Sequence, residues 1–222
     1  MKRTLTITFV AAAGLAVWGT AALTAPTPLE VPTDWELELT FPDPLVPVRF
    51  KVPGSDEEKT FWYFRFTVSN PTDNDRIYIP DFVLYADTGQ LLRSGSGVPT
   101  GLFKKIQKIY NDPLLSDMNA LTGKLLQGDD NARNGVAIFA DIDPNATAFD
   151  LFVGGLSGET AVIALPKPLE VTETDAEGKV SKVLKDKITV VKTLQLHYRL
   201  PGEAAARFVT KPRLAKKTWV MR

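Results

Sequence analysis

Most of the chain alternates apolar with polar residues, which is the pattern of half-buried β-strands. The clearest case is "TFWYFRFTVSN", where Trp62, Phe64 and Phe66 share one face while Tyr63 and Arg65 share the other. The segment "DWELELTF" alternates in the same way. Further strands are predicted in "IYIPDFVLYAD", "GVAIFAD", "AFDLFVGGL", "TAVIAL", "LEVTETD" and "KTLQLHYRL". The chain is therefore expected to be mainly β.

One segment breaks this pattern and has the spacing of an amphipathic helix. In "LFKKIQKIY", Leu102, Ile106 and Ile109 fall on one side and the lysines fall on the other. The run "NDP" would end this helix, because the residue before a proline is pushed out of helical backbone angles. The following "LLSDMNALTGKLL" is predicted to form a second short helix. Residues from about 101 to 126 therefore form a helical insertion between strands.

Strands interrupted by one helical insertion predict an all-β fold, an immunoglobulin-like antiparallel β-sandwich with the helix over an open end. Residues 26–202 are assigned to this single domain, and residues 203–222 to a basic C-terminal tail packed on it. The tail has six Lys or Arg residues and one Glu, whereas residues 30–58 have eight Asp or Glu residues and two Lys or Arg residues. We expect the tail to lie along this acidic segment, with Trp219 as an anchor.

Two stretches, "FRFTVSNPTDNDRIYIPDFVLYADTGQ" and "GVAIFADIDPNATAFDLFVGGL", follow a characteristic order. A strand rich in aromatic residues ends in an Asn-rich turn, and the strand after that turn ends with "D-x-G". A later turn is followed by a strand that has an aromatic residue near its beginning. In this order the chain resembles secreted bacterial immunoglobulin-like domains of unknown function over residues 60–156, apart from the insertion. Pro144-Asn145 stands where that pattern often has Pro-Gly. The resemblance implies a sandwich fold and an exported location, and it brings no catalytic residue.

Residues 1–25 have the layout of a secretory signal. Lys2 precedes an uncharged apolar stretch, which is followed by small residues. We expect an N-terminal signal helix that is cleaved between Ala22 and Pro26, which places the mature protein in the periplasm or outside the cell. The alternative is an uncleaved anchor in the inner membrane over residues 5–23, since this stretch approaches the roughly 20 residues that span a bilayer.

Composition removes several classes of function. The 222 residues include no cysteine, which excludes disulfide scaffolds, thiol catalysis, zinc ribbons, iron–sulfur clusters and attached haem. An apolar core must therefore stabilise the exported domain, and 44% of the residues are hydrophobic. The formal net charge is zero, so nucleic acid is a poor partner. A membrane is expected as a partner only through residues 5–23, if they are not removed.

The segment "DIDPNATAFD" concentrates side chains that could bind a cation. Asp141, Asp143 and Asn145 match the first three ligand positions of a calcium helix-loop-helix motif. The match then fails, because Ala146 replaces the invariant Gly and Phe152 replaces the bidentate Glu. A β-turn that starts at Asp143 and has proline at its second position is the favoured interpretation.

A composite calcium site is the alternative for this segment. We expect "GVAIFAD" to run in the same direction as "TFWYFRFTVSN", so that the loops after both strands meet at one end of the sandwich. Asp73 and Asp75 from the first loop would then approach Asp143 and Asn145 from the second, and Ca²⁺ prefers such oxygen ligands. These four residues are the candidate metal ligands, and no other cofactor is expected.

Two further features were candidates for catalysis. Asp129 and Asp130 are carboxylates, and a carboxylate pair can hydrolyse glycosides when held about 5 to 10 Å apart. Adjacent side chains point in different directions, so we interpret these two as a solvated loop at the end opposite the composite site. His197, the only histidine, falls with Gln195 and Arg199 on a polar face, whereas a Ser-His-Asp triad needs a buried imidazole. No catalytic residue is therefore assigned.

These features favour an exported, non-catalytic binding or structural module of the cell envelope, whose partner is an envelope protein or a glycan. Two alternatives stay open. One is a calcium-stabilised adhesion-type module that uses the composite site. The other is a carboxylate-based hydrolase of envelope glycans.

Overall fold

The computed structural model describes residues 26–222 except 43, 55, 175–177, 179 and 204–209. The predicted signal helix of residues 1–25 therefore lies outside the described residues. Strands make up 52% of the described residues and helices make up 9%. The prediction of an all-β fold is confirmed by this content.

Short loops connect the elements in the described part of the chain. The helices are α1 (Leu102–Tyr110) and α2 (Met118–Leu121), and Asp129–Asn131 form one 3₁₀ turn. The strands are β1 (Glu38–Thr40), β2 (Val46–Lys51), β3 (Glu58–Ser69), β4 (Arg76–Tyr78), β5 (Asp81–Ala86), β6 (Leu91–Arg93), β7 (Gly123–Leu125), β8 (Arg133–Phe139), β9 (Ala148–Gly154), β10 (Thr160–Thr174), β11 (Val180–Arg199) and β12 (Arg213–Met221).

The strands form two main sheets. In sheet one, β3 is the central strand and pairs with β1, β2 and β8. In sheet two the order is β10-β11-β9-β5-β6, and β12 also pairs with β11. A short pair of strands, β4 with β7, stands apart from both sheets. Every pairing between these strands is antiparallel, as predicted.

The main core lies between the two sheets, which pack face to face as in a sandwich. Sheet one contributes Trp62, Phe64 and Phe66 to this core, and sheet two contributes Phe82 and Phe149. The alternation predicted for "TFWYFRFTVSN" is confirmed by this arrangement. The rings of Phe66 and Phe82 stack with centroids 4.7 Å apart, and such pairs stabilise a core beyond their area burial. Apolar burial thus stabilises a domain that has no cysteine.

Helix α1 covers the outer face of sheet one. Leu102 and Ile106 of the helix are fully buried in a second cluster with Tyr63, Val136 and Ile138 of the sheet. The prediction that the insertion covers an open end of the sandwich was therefore wrong. The physical reason is that sheet one is apolar on both faces, so its second face also requires a covering layer.

Strand β8 runs antiparallel to β3, with Trp62 near the start of β3 opposite Phe139 at the end of β8. The prediction that both strands run in the same direction was wrong. The insertion returns the chain to the end of sheet one that β3 has just reached, where the Gly128 N–H donates to the Asn70 carbonyl at 2.9 Å. The loops that follow β3 and β8 consequently lie at opposite ends of sheet one.

Pro80 divides the predicted strand "IYIPDFVLYAD" into β4 and β5. Before the proline, β4 pairs with β7, and after it β5 enters sheet two beside β9. Proline has no backbone N–H, so it cannot continue a ladder in the middle of a sheet. The chain therefore changes sheets at this residue.

A long antiparallel ribbon continues from one end of sheet two. β10 pairs with β11 from Thr160 opposite Val191 to Thr174 opposite Val180, whereas β9 and β12 pair with β11 only from Lys192 onward. We call the described residues between 160 and 191 the arm, and the remaining described residues the body. The segments "TAVIAL" and "LEVTETD", predicted as two strands, are both part of β10.

One irregularity interrupts the ladder of the arm. From Ala164 to Leu169, β10 advances five residues, while its partner β11 advances two, from Lys187 to Lys185. Three extra residues of β10 therefore form a bulge, which contains Pro166 and Pro168.

The basic C-terminal segment forms β12, a strand of sheet two whose Trp219 packs against the main core. Glu36 of the acidic N-terminal segment pairs with Lys192 of β11 at 3.0 Å. Lys217 of β12 lies over the ring of Phe41, 5.9 Å from its centroid.

Candidate functional site

The four predicted calcium ligands are divided between the two ends of sheet one. Asp73 and Asp75 follow β3, whereas Asp143 and Asn145 follow β8. Because β3 and β8 are antiparallel, the residues after them lie at opposite ends of sheet one. The structure therefore does not bring the four side chains together. Across the residues that the structure describes, no group of three His, Cys, Asp or Glu side chains has the arrangement to hold a metal ion.

Asp129 and Asp130 lie at the same end as Asp75, and not at the opposite end as predicted. Asp75 accepts a hydrogen bond from the Gln127 backbone N–H at 3.1 Å and pairs with Lys124 at 2.7 Å. The Lys124 ammonium, followed by the Gln127 N–H, holds the pKa of Asp75 below its ordinary value. Asp129 and Asp130 are both exposed in the 3₁₀ turn. This end of the sheet is thus a solvated loop that ties the insertion to β3.

The segment "DIDPNATAFD" contains the predicted β-turn. The Ala146 N–H donates to the Asp143 carbonyl at 2.9 Å, which is the bond that closes such a turn. The Asp143 carboxylate also accepts from the Asn145 N–H at 2.8 Å. The turn interpretation is therefore confirmed, and the Asp143 side chain stabilises the turn itself.

His197 lies on the outer face of sheet two, and its side chain is 36% exposed. Its Nδ1 is 2.8 Å from Oδ1 of Asp150, its neighbour on β9, and its neighbour on β12 is Lys216. A triad needs a nucleophile beside the imidazole, and the two cross-strand neighbours are a carboxylate and an ammonium. The pair can hydrogen-bond a partner, but it does not form the geometry of an acyl-transfer site.

Asp141 lies beside a cleft of about 580 Å³ next to the hairpin of β2 and β3. Its Oδ1 accepts from the Trp62 Nε1–H at 3.2 Å. Burial raises the pKa of this carboxyl above its ordinary value, which the Trp62 hydrogen bond opposes. The cleft is lined by Val52, Glu58, Lys59, Thr60, Phe61, Gly97, Pro99, Ala140 and Asp141.

A charged cluster is buried where the arm joins the body. Lys192 is only 2% exposed, and its Nζ is 3.0 Å from Glu36 Oε2 and 3.3 Å from Glu159 Oε2. The Trp219 ring lies over the same ammonium, 5.1 Å from centroid to Nζ. Burial lowers the pKa of Lys192, but the Glu36 and Glu159 carboxylates more than offset this, so the pKa is raised. We call these four residues the root cluster.

The root cluster also holds the segment that follows the predicted signal. Glu159 Oε1 accepts from the Leu29 backbone N–H at 2.9 Å, and the Leu29 carbonyl lies 3.5 Å from Lys192 Nζ. Farther along, the Gly158 N–H donates to the Trp35 carbonyl at 3.1 Å. The N-terminal segment is therefore fixed to the base of the arm.

The arm exposes five apolar side chains along a single two-stranded ribbon, while other exposed apolar residues, such as Val31 and Leu114, lie on the body. A two-stranded ribbon is marginally stable on its own, and exposed apolar surface marks contact sites in soluble proteins. The arm is thus a candidate contact surface. Its exposed apolar residues, from 37% to 69% accessible, are Val162, Leu169, Val180, Val183 and Leu184.

Comparisons of the chain with protein-family models, curated proteins and solved structures found no match. In the part of the chain that the structure describes, no helix has the length and apolar character needed to cross a membrane.

The arm and the root cluster are the features that sequence reasoning missed. The arm had one visible signal, since the segments on both sides of "AEGK" mix charged and apolar residues on both faces. That pattern differs from the one-sided alternation of a half-buried strand. The root cluster had no comparable signal, because Glu36, Glu159 and Lys192 are far apart in the sequence.

Proposed function

We propose that this protein is an exported, non-catalytic binding or structural module of the cell envelope, with an immunoglobulin-like sandwich as its body and the arm as its binding surface. The observation that carries the proposal is the exposure of five apolar side chains on the arm. A ribbon with a single pairing gains more from a covering partner than a body whose core is already closed. Export and cleavage are supported by the layout of residues 1–25. The partner is an envelope protein or a glycan.

The alternative of a calcium-stabilised adhesion module has less support. Its four candidate ligands are split between two ends of sheet one, and two of them have protein partners: Asp75 pairs with Lys124 and Asp143 closes a turn. A calcium ion needs six to eight oxygen ligands within one shell.

A hydrolase of envelope glycans is favoured by one specific observation, the Asp141 cleft. A partly buried carboxyl beside a tryptophan, whose pKa is raised by burial, has the kind of environment that general acids use. Glu58 lies on the wall of the same cleft and could supply a second carboxylate. The test is turnover of purified envelope glycans by the wild type, by Asp141→Asn and by Asp129→Asn. We expect no turnover by any of the three, whereas turnover lost only in a folded Asp141→Asn variant would establish the enzyme.

The binding role is tested by photo-crosslinking in cells that export the protein. A photoreactive amino acid replaces Leu184 on the arm, which is 69% exposed, and in a matched control it replaces Ile77 on the body, which is 62% exposed. We expect Leu184 to capture a defined envelope component and Ile77 to capture none above background. Equal labelling from both positions, or capture of cytoplasmic proteins alone, would contradict the proposal.

A further inference from the structure

The two edges of β11 have different neighbours at the base of the arm. Val191 exchanges both backbone hydrogen bonds with Arg222 after β12, at 2.8 and 3.1 Å, and Thr160 of β10 is its partner on the other side. β12 therefore lies along one edge of β11, and β10 lies along the other. Among the described residues, no strand continues the line of β12 past Val191. We call the β12 side of residues 180–190 the open edge.

The open edge presents backbone groups at a regular spacing. In an antiparallel ladder, successive residues direct their N–H and C=O groups alternately to the two sides. Because Val191 directs its groups toward β12, the other odd-numbered residues of this stretch, among them Ser181, Val183, Lys187 and Thr189, direct theirs to the same side. A row of such groups is a template for another strand.

The outer edge of β10 is a poorer template. The bulge with Pro166 and Pro168 interrupts it, and proline lacks the N–H that a third strand would need. Between Val180 and Val191, β11 contains neither a proline nor a bulge. A strand could therefore pair continuously only along β11.

Charge on the open edge selects the kind of strand. Residues 180–191 carry Lys182, Lys185 and Lys187 against the single acid Asp186, so β11 is net positive here even though Lys182 pairs with Glu170 of β10. Edge lysines discourage pairing with a second copy of the same strand, because like charges then face each other. An acidic strand would instead be attracted by these lysines. Leu184, which is 69% exposed and lies on the face opposite Lys187, would pack against its apolar residues.

We infer that an extended acidic segment of an envelope protein adds to the arm as a third strand, along the open edge and in line with β12. The inference rests on the proposed binding role and specifies the class of partner. Main-chain hydrogen bonds along β11 provide the affinity, while the lysines and the exposed apolar residues provide the selectivity.

The test uses a fluorescently labelled peptide of alternating Glu and Val, as long as the open edge, and the full mature protein. Val183→Pro removes one N–H from the open edge and removes no donor from the ladder to β10. Val171→Pro is the matched control, because Val171 lies directly opposite Val183 and directs its N–H away from β11. We expect Val183→Pro to weaken binding about tenfold or more, through the lost bond and the added ring, and Val171→Pro to leave binding unchanged.

Hydrogen exchange supplies a second measurement. The peptide should slow exchange at the amides of Val183, Lys187 and Thr189 and leave those on the outer edge of β10 unaffected. If Val183→Pro disrupts the ribbon itself, charge reversal replaces it. Lys187→Glu should weaken binding of the Glu-Val peptide and strengthen binding of a Lys-Val peptide, while Lys182 is left unchanged because it pairs with Glu170 of β10.

Three results would overturn the inference: no binding of the Glu-Val peptide, equal binding of the Lys-Val peptide to the wild type, or a loss in Val171→Pro as large as in Val183→Pro. These results are separable from failure of the proposed function. If position 184 captures an envelope component but the peptide does not bind, the binding role of the arm stands and only strand addition is contradicted. An arm that captures nothing loses the role itself.

Discussion

The body and the arm use the same antiparallel pairing, but the body encloses an apolar core between covering layers, whereas the arm is a ribbon that leaves five apolar side chains exposed. Phe64 in the body is completely buried, whereas Leu184 in the arm is 69% exposed. Sheet one is covered on one face by sheet two and on the other by α1, while the arm is a two-stranded ribbon. The body therefore stabilises itself, and the arm depends on the continuation of β11 into sheet two. Strand pairing alone thus says little about where stability resides.

The strongest test of this difference removes one large apolar side chain from each region. Phe64→Ala should lower the free energy of unfolding by about 3–5 kcal/mol, because it leaves a cavity between the sheets. Leu184→Ala should change it by less than about 0.5 kcal/mol, as is usual for exposed positions. Urea unfolding followed by tryptophan fluorescence measures both. Losses of similar size would show that the arm is part of the cooperative core.

The next largest effect is expected at the root cluster. Lys192→Met retains the apolar stem but leaves Glu36 and Glu159 without their cation, which should cost about 3 kcal/mol. Lys182→Met is the matched control on the arm, where an exposed pair with Glu170 should contribute at most about 1 kcal/mol. Adding Glu159→Gln to Lys192→Met should recover part of the loss. An unchanged unfolding midpoint in Lys192→Met would show that the cluster does not stabilise the body.

A smaller effect should appear in the dependence of stability on pH. The Leu29 N–H, assisted by Lys192, holds the pKa of Glu159 below its ordinary value of 4.5. A carboxyl of this kind stabilises the folded state above its ordinary pKa, and that contribution is lost as the pH falls through the folded-state pKa. The stability difference between wild type and Glu159→Gln should therefore be largest near neutral pH and shrink below pH 4.5.

Urea midpoints at neutral pH and at about pH 3 measure this dependence. Glu170→Gln provides the comparison on the arm, because Glu170 pairs with Lys182 in solvent and should show little change with pH. A difference for Glu159→Gln that stays constant into acid would contradict the linkage.

The smallest expected effect concerns calcium. A filled site would stabilise the body by about 2.7 kcal/mol at a hundredfold excess of ligand over Kd. We expect no measurable change in melting temperature at millimolar calcium, because Asp73 and Asp75 lie at the far end of sheet one from Asp143. Asp73→Ala and Asp143→Ala should respond to calcium as the wild type does. A calcium-dependent rise in melting temperature that either substitution removes would instead support the composite cation site.

Local features of this molecule could be predicted from the sequence. The alternation of Trp62, Phe64 and Phe66 requires only that one face be buried, and the turn at Asp143 requires only the backbone preferences of Pro144 and Asn145. The division at Pro80 was visible as an irregularity of the strand, although not as a change of sheet. Each of these features depends on a few neighbouring residues.

The failures share a dependence on distant partners. The direction of β8 follows from where the insertion returns, and α1 lies on a sheet face because Tyr63 and Ile138 are apolar on that side. The contact between Asp150 and His197 needs the register of β9 on β11, which no local pattern encodes. The burial of Lys192 is equally invisible, since an isolated lysine in a strand is expected to be exposed.

The bulge in β10 gives the arm a tolerance for changes in chain length. Its three extra residues lie outside the ladder, between Ala164 opposite Lys187 and Leu169 opposite Lys185. Shortening the chain there can leave both pairs in place, so the same side chains stay on the same faces. Deleting Val171 instead would shift the register of β10 from residue 172 to residue 174 by one place, so that the side chains of these residues would point to the opposite face. Insertions and deletions in this arm are therefore expected to accumulate at the bulge, where they leave the open edge of β11 unchanged.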